Sequence, residues 1–211
     1  MAGNPQDQEE RLLRSRLRVL AERSGLPVPA LDVVDDPKGR LLPATVRDGG
    51  DGEDHVAVSS SLLRASPDAQ TWYLATALGH WASPVPRRHR REGWVATGLL
   101  VTLCVGFGLA ELDGVVDLPG AATVAANAAL GLLAHVGVAA TARRSQAALD
   151  EAGWEVLRRA GYDPASLTRQ VFGDRPDPSW WARLHTREPT PSARVAAAER
   201  RGGPDVAPPL Y

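Results

Sequence analysis

The sequence predicts an α+β protein, mainly helical, with a small β-meander and a two-helix transmembrane hairpin. Three observations carry that expectation. Apolar residues recur at helical spacing, with capping residues, in the segments near both ends of the chain. Three short β-like runs lie between residues 30 and 59. Two uncharged apolar runs, separated by an acidic turn, fill Trp94 to Thr141. The chain has 211 residues, 44% of them hydrophobic, and a formal net charge of −1. One domain is the expectation for that length, and the near-neutral balance argues against nucleic acid as a partner. Cys104 is the single cysteine, so no internal disulfide forms. The polar N-terminus has no apolar core of a signal peptide, so no cleaved leader is expected. Lys38 is the only lysine among many arginines, a bias typical of GC-rich bacterial coding.

The first element is an amphipathic helix from about Gln6 to Ser24. Leu13, Leu17 and Leu20 form its apolar stripe, and Gly25 followed by Pro27 ends it. Strands follow at Ala30 to Val34, Leu41 to Val46 and His55 to Ser59, separated by the turn-forming clusters DDPKG and RDGGDGED, as a small meander or an edge strand with a hairpin. The loop from Asp48 to Asp54 lacks the ligand spacing of a calcium site and reads as a turn. Ser66, Pro67 and Asp68 are a strong helix start, and Pro84 closes a helix from Pro67 to Ala82. Leu74, Leu78 and Trp81 mark its buried stripe, with Thr76, Ala77 and His80 on a neighbouring face.

The apolar pair comes next. Trp94 to Ala110 spans roughly 26 Å as a helix, close to the ~30 Å hydrocarbon core of a bilayer. Gly120 to Thr141 is longer but rich in Ala and Gly, with Asn127 and His135 inside. Arg87, Arg88, Arg90 and Arg91 precede the pair and Arg143 and Arg144 follow it, while the turn holds Glu111, Asp113 and Asp117. This asymmetry places both chain ends in the cytoplasm and the hairpin in the cell's inner membrane, with membrane lipid as a partner. The competing reading is a buried hairpin in a soluble domain. Gly106, Gly108, Ala125, Ala129 and Gly131 suit close helix packing in either case.

Beyond the hairpin, Ser145 to Ala160 reads as an amphipathic helix capped by Gly161, and Pro164 to Phe172 as a short helix. Trp180 and Trp181 are read as core of the C-terminal half rather than interfacial anchors. The last helix runs from about Pro191 to Arg200 with Thr190 or Ser192 as its cap. Residues 1–92 and 142–201 then form two halves of one domain, carried by the hairpin at 94–141, with 202–211 a flexible tail.

The order of these elements resembles the HtpX-type and CAAX-prenyl-protease-type membrane zinc metallopeptidases. The residues carrying the likeness are VSSSLL before a helix ending LATALGH, the apolar hairpin, QAALD after it, and EPTPSAR near the end. The resemblance implies a zincin-like fold, a zinc ion and peptide hydrolysis. It also implies that an H-E-x-x-H motif has become TALGH here. Thr76 stands for the first ligand and Ala77 for the general base, while His80 is kept as the second ligand. Gln146 stands for the third ligand, and Asp150 and Arg194 are kept, whereas Glu188 replaces a histidine.

Zinc hydrolysis needs imidazole or carboxylate ligands and a base beside the bound water. Threonine and glutamine ligate zinc poorly, and alanine cannot act as a base. The expected function is therefore a membrane-anchored pseudo-peptidase without a cofactor, with a binding or regulatory role. Asp150, Glu188 and Arg194 are its candidate binding residues, and a peptide or protein ligand in the former cleft its partner. Asp150 is expected to bond to His80 or Arg194. One alternative is an active zinc endopeptidase with an atypical ligand set around His80 and Gln146. The other is a structural interaction protein without a ligand.

Overall fold

The computed structural model describes residues 5–36, 43–48, 54–83, 120–186 and 188–201, with isolated helical positions between 95 and 105. The chain is mainly helical and divides into two compact units. Met1–Pro84, Ala148–Asp177 and Thr190–Tyr211 form the first; Val85–Ala147 and Pro178–Pro189 form the second.

The first unit opens with α1 (Pro5–Ser24). Leu13, Leu17 and Leu20 are fully buried, as their spacing predicts. Gly25 takes φ +72°, which lets the Leu26 amide close the helix on the Ala21 carbonyl at 2.8 Å. Strands β1 (Ala30–Val34), β2 (Ala44–Asp48) and β3 (Asp54–Ser59) form the sheet. The sheet is not a meander but the other arrangement the turns allow, a β2–β3 hairpin with β1 added as an edge strand. Its order is β1-β3-β2, with β1 parallel and β2 antiparallel to β3. The cause is burial. Val56, Ala57, Val58 and Ser59 are all buried, so β3 takes the centre and the more polar strands flank it.

A four-residue helix, α2 (Ser60–Leu63), leads into α3 (Pro67–Ala82), whose Ser66 cap accepts from the Ala69 amide at 3.3 Å. Gln70 on α3 donates to the Leu62, Leu63 and Ala65 carbonyls at and just past the end of α2, and accepts from Arg16 on α1. Helix α3 packs against α1, α2, β2 and β3, making it the centre of the unit.

Helix α4 (Gly120–Arg159) runs unbroken for 40 residues. The sequence reading divides this stretch into a hairpin arm ending at Thr141 and a separate helix starting at Ser145. No glycine, proline or cap lies between those points, and Ala, Arg and Gln continue a helix readily. A change from apolar to charged composition there marks a change of surroundings, not a helix end. Gly161, at φ +86°, then closes the chain past α4, with the Tyr162 amide on the Leu157 carbonyl at 2.9 Å. Asp163 caps α5 (Pro164–Phe172) through the Ala165 and Ser166 amides. Next come α6 (Trp180–His185) and α7 (Pro191–Arg201), the latter with Thr190 accepting from the Ala193 amide. Helices α5 and α7 pack together, joined at the surface by Arg169 and Glu199. The Glu199 carboxylate raises the Arg169 pKa above its ordinary value.

The second unit holds the N-terminal part of α4 and α6. Within α4 the stretch Val124–Arg159 is long and apolar enough to cross a membrane, and almost none of its most apolar window is buried. Val124, Leu132 and Leu133 are all exposed. Of the first apolar run, Val95, Gly98, Val101, Thr102 and Val105 are helical and exposed. The rest of that run, the acidic turn, the Arg87 to Arg91 cluster, the Asp48 to Asp54 loop apart from its ends, and the tail lie outside the described residues.

Close helix packing occurs in the first unit. A Cβ on Gly79 of α3 would stand 2.4 Å from the Ala152 carbonyl carbon and 2.6 Å from the Gly153 nitrogen. A Cβ on Gly153 of α4 would stand 2.8 Å from the Thr76 Cα. At Gly131 an added Cβ meets nothing within 4 Å among the described residues, and most of the first apolar run, expected to pack there, lies outside them. Gly79→Ala is therefore expected to push two backbones apart and lower stability by about 1–3 kcal/mol. Gly131→Ala should leave stability unchanged or raise it by up to about 1 kcal/mol. Denaturant midpoints of the two variants in the same detergent, followed by tryptophan emission, check both signs.

Candidate functional site

The TALGH stretch, which resembles a metal motif, lies on the last two turns of α3. Thr76 donates its hydroxyl to the Trp72 carbonyl at 3.0 Å, so that proton is used within its own helix. The Thr76 backbone meets α4 at Gly153, the contact that excludes a Cβ there. Ala77 is buried in the hydrophobic core. Position 77 thus offers neither a base nor a path to water. His80, one turn further on, is half-buried.

The α4 residues of the motif are divided between the two units. Gln146 is half-buried and belongs to the second unit, as does exposed Glu188. Asp150 belongs to the first unit and is buried to 1% exposure. Its Oδ2 accepts from Arg194 Nε on α7 at 2.9 Å, and Arg194 is itself buried to 5%. Of the two partners foreseen for Asp150, Arg194 is the one whose bond is resolved.

Aromatic rings surround the cation. The Arg194 guanidinium carbon lies 5.4 Å from the Trp72 ring centroid and 4.8 Å from that of Phe172. Each such cation–π contact is worth about 0.5–2 kcal/mol, the more so when desolvated. Trp72 and Phe172 meet edge to face at 4.8 Å. Trp72 Nε1 and Trp154 Nε1 both donate to Thr168 Oγ1, at 3.2 and 3.1 Å, inside a fully buried site. One threonine oxygen, with two lone pairs, thereby joins α3, α4 and α5. Trp72 and Trp154 are core residues; Trp81 is half-buried.

These residues do not fit a zinc ion. The position of the first ligand is packed against a helix, the position of the base is apolar, and the neighbouring carboxylate is committed to an arginine. Among the described residues no group of three or more His, Cys, Asp or Glu is arranged to hold a metal. What the cluster can do is structural: it fixes the register of α3, α4, α5 and α7 through one ion pair and one shared hydroxyl.

Sequence reasoning missed Gly79, Gly153 and Thr168. For the glycines a signal exists, because glycine inside a helix costs about 1 kcal/mol against alanine and is kept there for close packing. For Thr168 there is none, since its two partners are distant in sequence. Comparison with protein-family models, curated proteins and solved structures finds no match to this chain.

Asp150→Ala leaves the Arg194 guanidinium buried without its carboxylate, a change expected to cost about 3–5 kcal/mol. The double variant Asp150→Leu/Arg194→Met removes both charges and should recover much of that loss. Urea midpoints for the single and double variants check the order: single well below double.

Proposed function

We propose that this chain is a membrane-anchored, metallopeptidase-like protein that does not hydrolyse peptides and acts through binding or regulation. The reading joins the motif resemblance to one structural observation. The turn of α3 that would carry the first zinc ligand and the base is closed against Gly153 and the core, with Thr76 and Ala77 in those places. Two further features support it. The residue corresponding to a ligand-orienting carboxylate, Asp150, pairs with Arg194. The apolar, largely unburied stretch of α4 suits a membrane anchor, with the first apolar run as the other arm of the hairpin.

On this reading the zincin-like core is retained as a scaffold, and both chain ends lie on the cytoplasmic side of the inner membrane. His80 and Gln146 serve as polar groups rather than ligands. Glu188, exposed in the second unit, is the candidate contact for a peptide or protein partner. A second reading, an interaction protein with no ligand at this site, is favoured by the same closed crossing.

Zinc content and caseinolytic activity of the protein purified in detergent without chelator test the proposal. Zinc near zero and no cleavage, in the wild type and in His80→Ala alike, are the expected results. Zinc near one equivalent that is lost in His80→Ala, with cleavage in the wild type, would establish an active peptidase with an atypical ligand set and overturn the proposal.

A further inference from the structure

Trp180 and Trp181 are the most exposed tryptophans among the described residues, at 73% and 55%. The core position expected for them is therefore corrected. Two indoles turned outward side by side, centroids 5.4 Å apart, are costly to leave in water and signal a surface with an occupant. What that occupant is follows from the rest of the second unit.

Helix α6, which carries the pair, is tied to α4 at one point. Arg143 Nη1 donates to the Arg183 and Thr186 carbonyls, each at 2.9 Å, so a cation closes the C-terminal end of α6. Arg143 stands two residues past the end of the uncharged run from Gly120 to Thr141. The indoles are therefore held near the level where α4 passes from apolar to charged. Exposed Arg144 and Arg183 are near the same level. In a bilayer, that level is the headgroup layer, where tryptophan is favoured because its ring is apolar and its N–H can reach water or a lipid carbonyl. Arginine there meets phosphate.

The geometry points to α6 as an interfacial anchor: Trp180 and Trp181 seat in the phospholipid headgroup layer beside the membrane exit of α4, with Arg144 and Arg183 facing lipid phosphate. This inference rests on the membrane anchoring proposed above and adds to it a depth and a lipid contact. The anchor holds Arg143 at the level of the headgroups. Its neighbour Ser179 caps α6 through the Ala182 amide at 3.3 Å, and Arg183 Nε donates to the Pro178 carbonyl at 3.0 Å, so the short helix is braced at both ends.

Spin labels read the depth directly. In the full chain with Cys104→Ala, single cysteines at Trp180→Cys, Leu133→Cys and Leu12→Cys are labelled and reconstituted into vesicles of mixed phosphatidylcholine and phosphatidylglycerol. Collisions with oxygen, which enters the bilayer, are compared with those of a nickel chelate, which stays in water. The label at 133 should favour oxygen strongly and that at 12 should favour nickel. The label at 180 should fall between them, with nickel collisions several-fold below those at 12. If 133 reads as lipid and 180 reads like 12, the anchor fails while the membrane reading stands. A label at 180 shielded from both reagents places a protein partner or second copy there and also overturns the anchor. If 133 and 180 both read like 12, the membrane reading and the anchor fail together.

Discussion

A carboxylate and a guanidinium taken out of water remain in a core only if they meet each other in good geometry, and removing either one leaves a charge that the interior cannot accommodate. Asp150 and Arg194 meet that condition 44 positions apart in sequence. The pair sets where α7 lies on α4, and the flat face of the cation sets where Trp72 and Phe172 lie on both. Thr168 then links the two indoles of Trp72 and Trp154. The approach of α3 to α4 at Gly79 and Gly153 completes an arrangement in which Asp150, Arg194 and Thr168 have partners in neighbouring helices.

This arrangement bears on the chemistry that the motif resemblance implies. A hydrolytic zinc site needs an open coordination position and a base that reaches the bound water. Here the corresponding turn of α3 presents a threonine bonded to its own helix and a buried alanine. The ion pair at Asp150 needs no metal to account for it. On the function proposed above, the chain is a scaffold held by packing, with Asp150 and Arg194 in place and no base at position 77.

Much of the helical structure was legible because its signals are local. Ser66-Pro67-Asp68, Asp163-Pro164, Gly25 and Gly161 each state a helix end through their own backbone chemistry, and the observed ends of α1, α3 and α5 agree. The turns allow a meander or an edge strand with a hairpin, and the choice between them was not legible, because it depends on which strand is buried on both faces, a property of what packs on the sheet. The compositional change near Arg143 looks like a helix end in sequence, but α4 passes through it unbroken because its residues continue a helix on both sides. The outward tryptophans were misplaced because an aromatic pair looks the same in sequence whether it fills a core or meets a bilayer. Of the candidate site, the Asp150 to Arg194 bond was foreseen as one of two choices. The glycine crossing that closes the site was not, since it needs two helices to be seen together.

Amide hydrogen exchange of the full chain in detergent tests the closed crossing most directly. Segments opened only by global unfolding exchange slowest, whereas the walls of an open cleft exchange through local motion. The account predicts that Leu74 to Gly79 of α3 and Asp150 to Leu157 of α4 are the most protected amides of the first unit and exchange together. Fast exchange at Thr76 to Gly79, with the rest of the unit still protected, would contradict it and reopen the site to ligands.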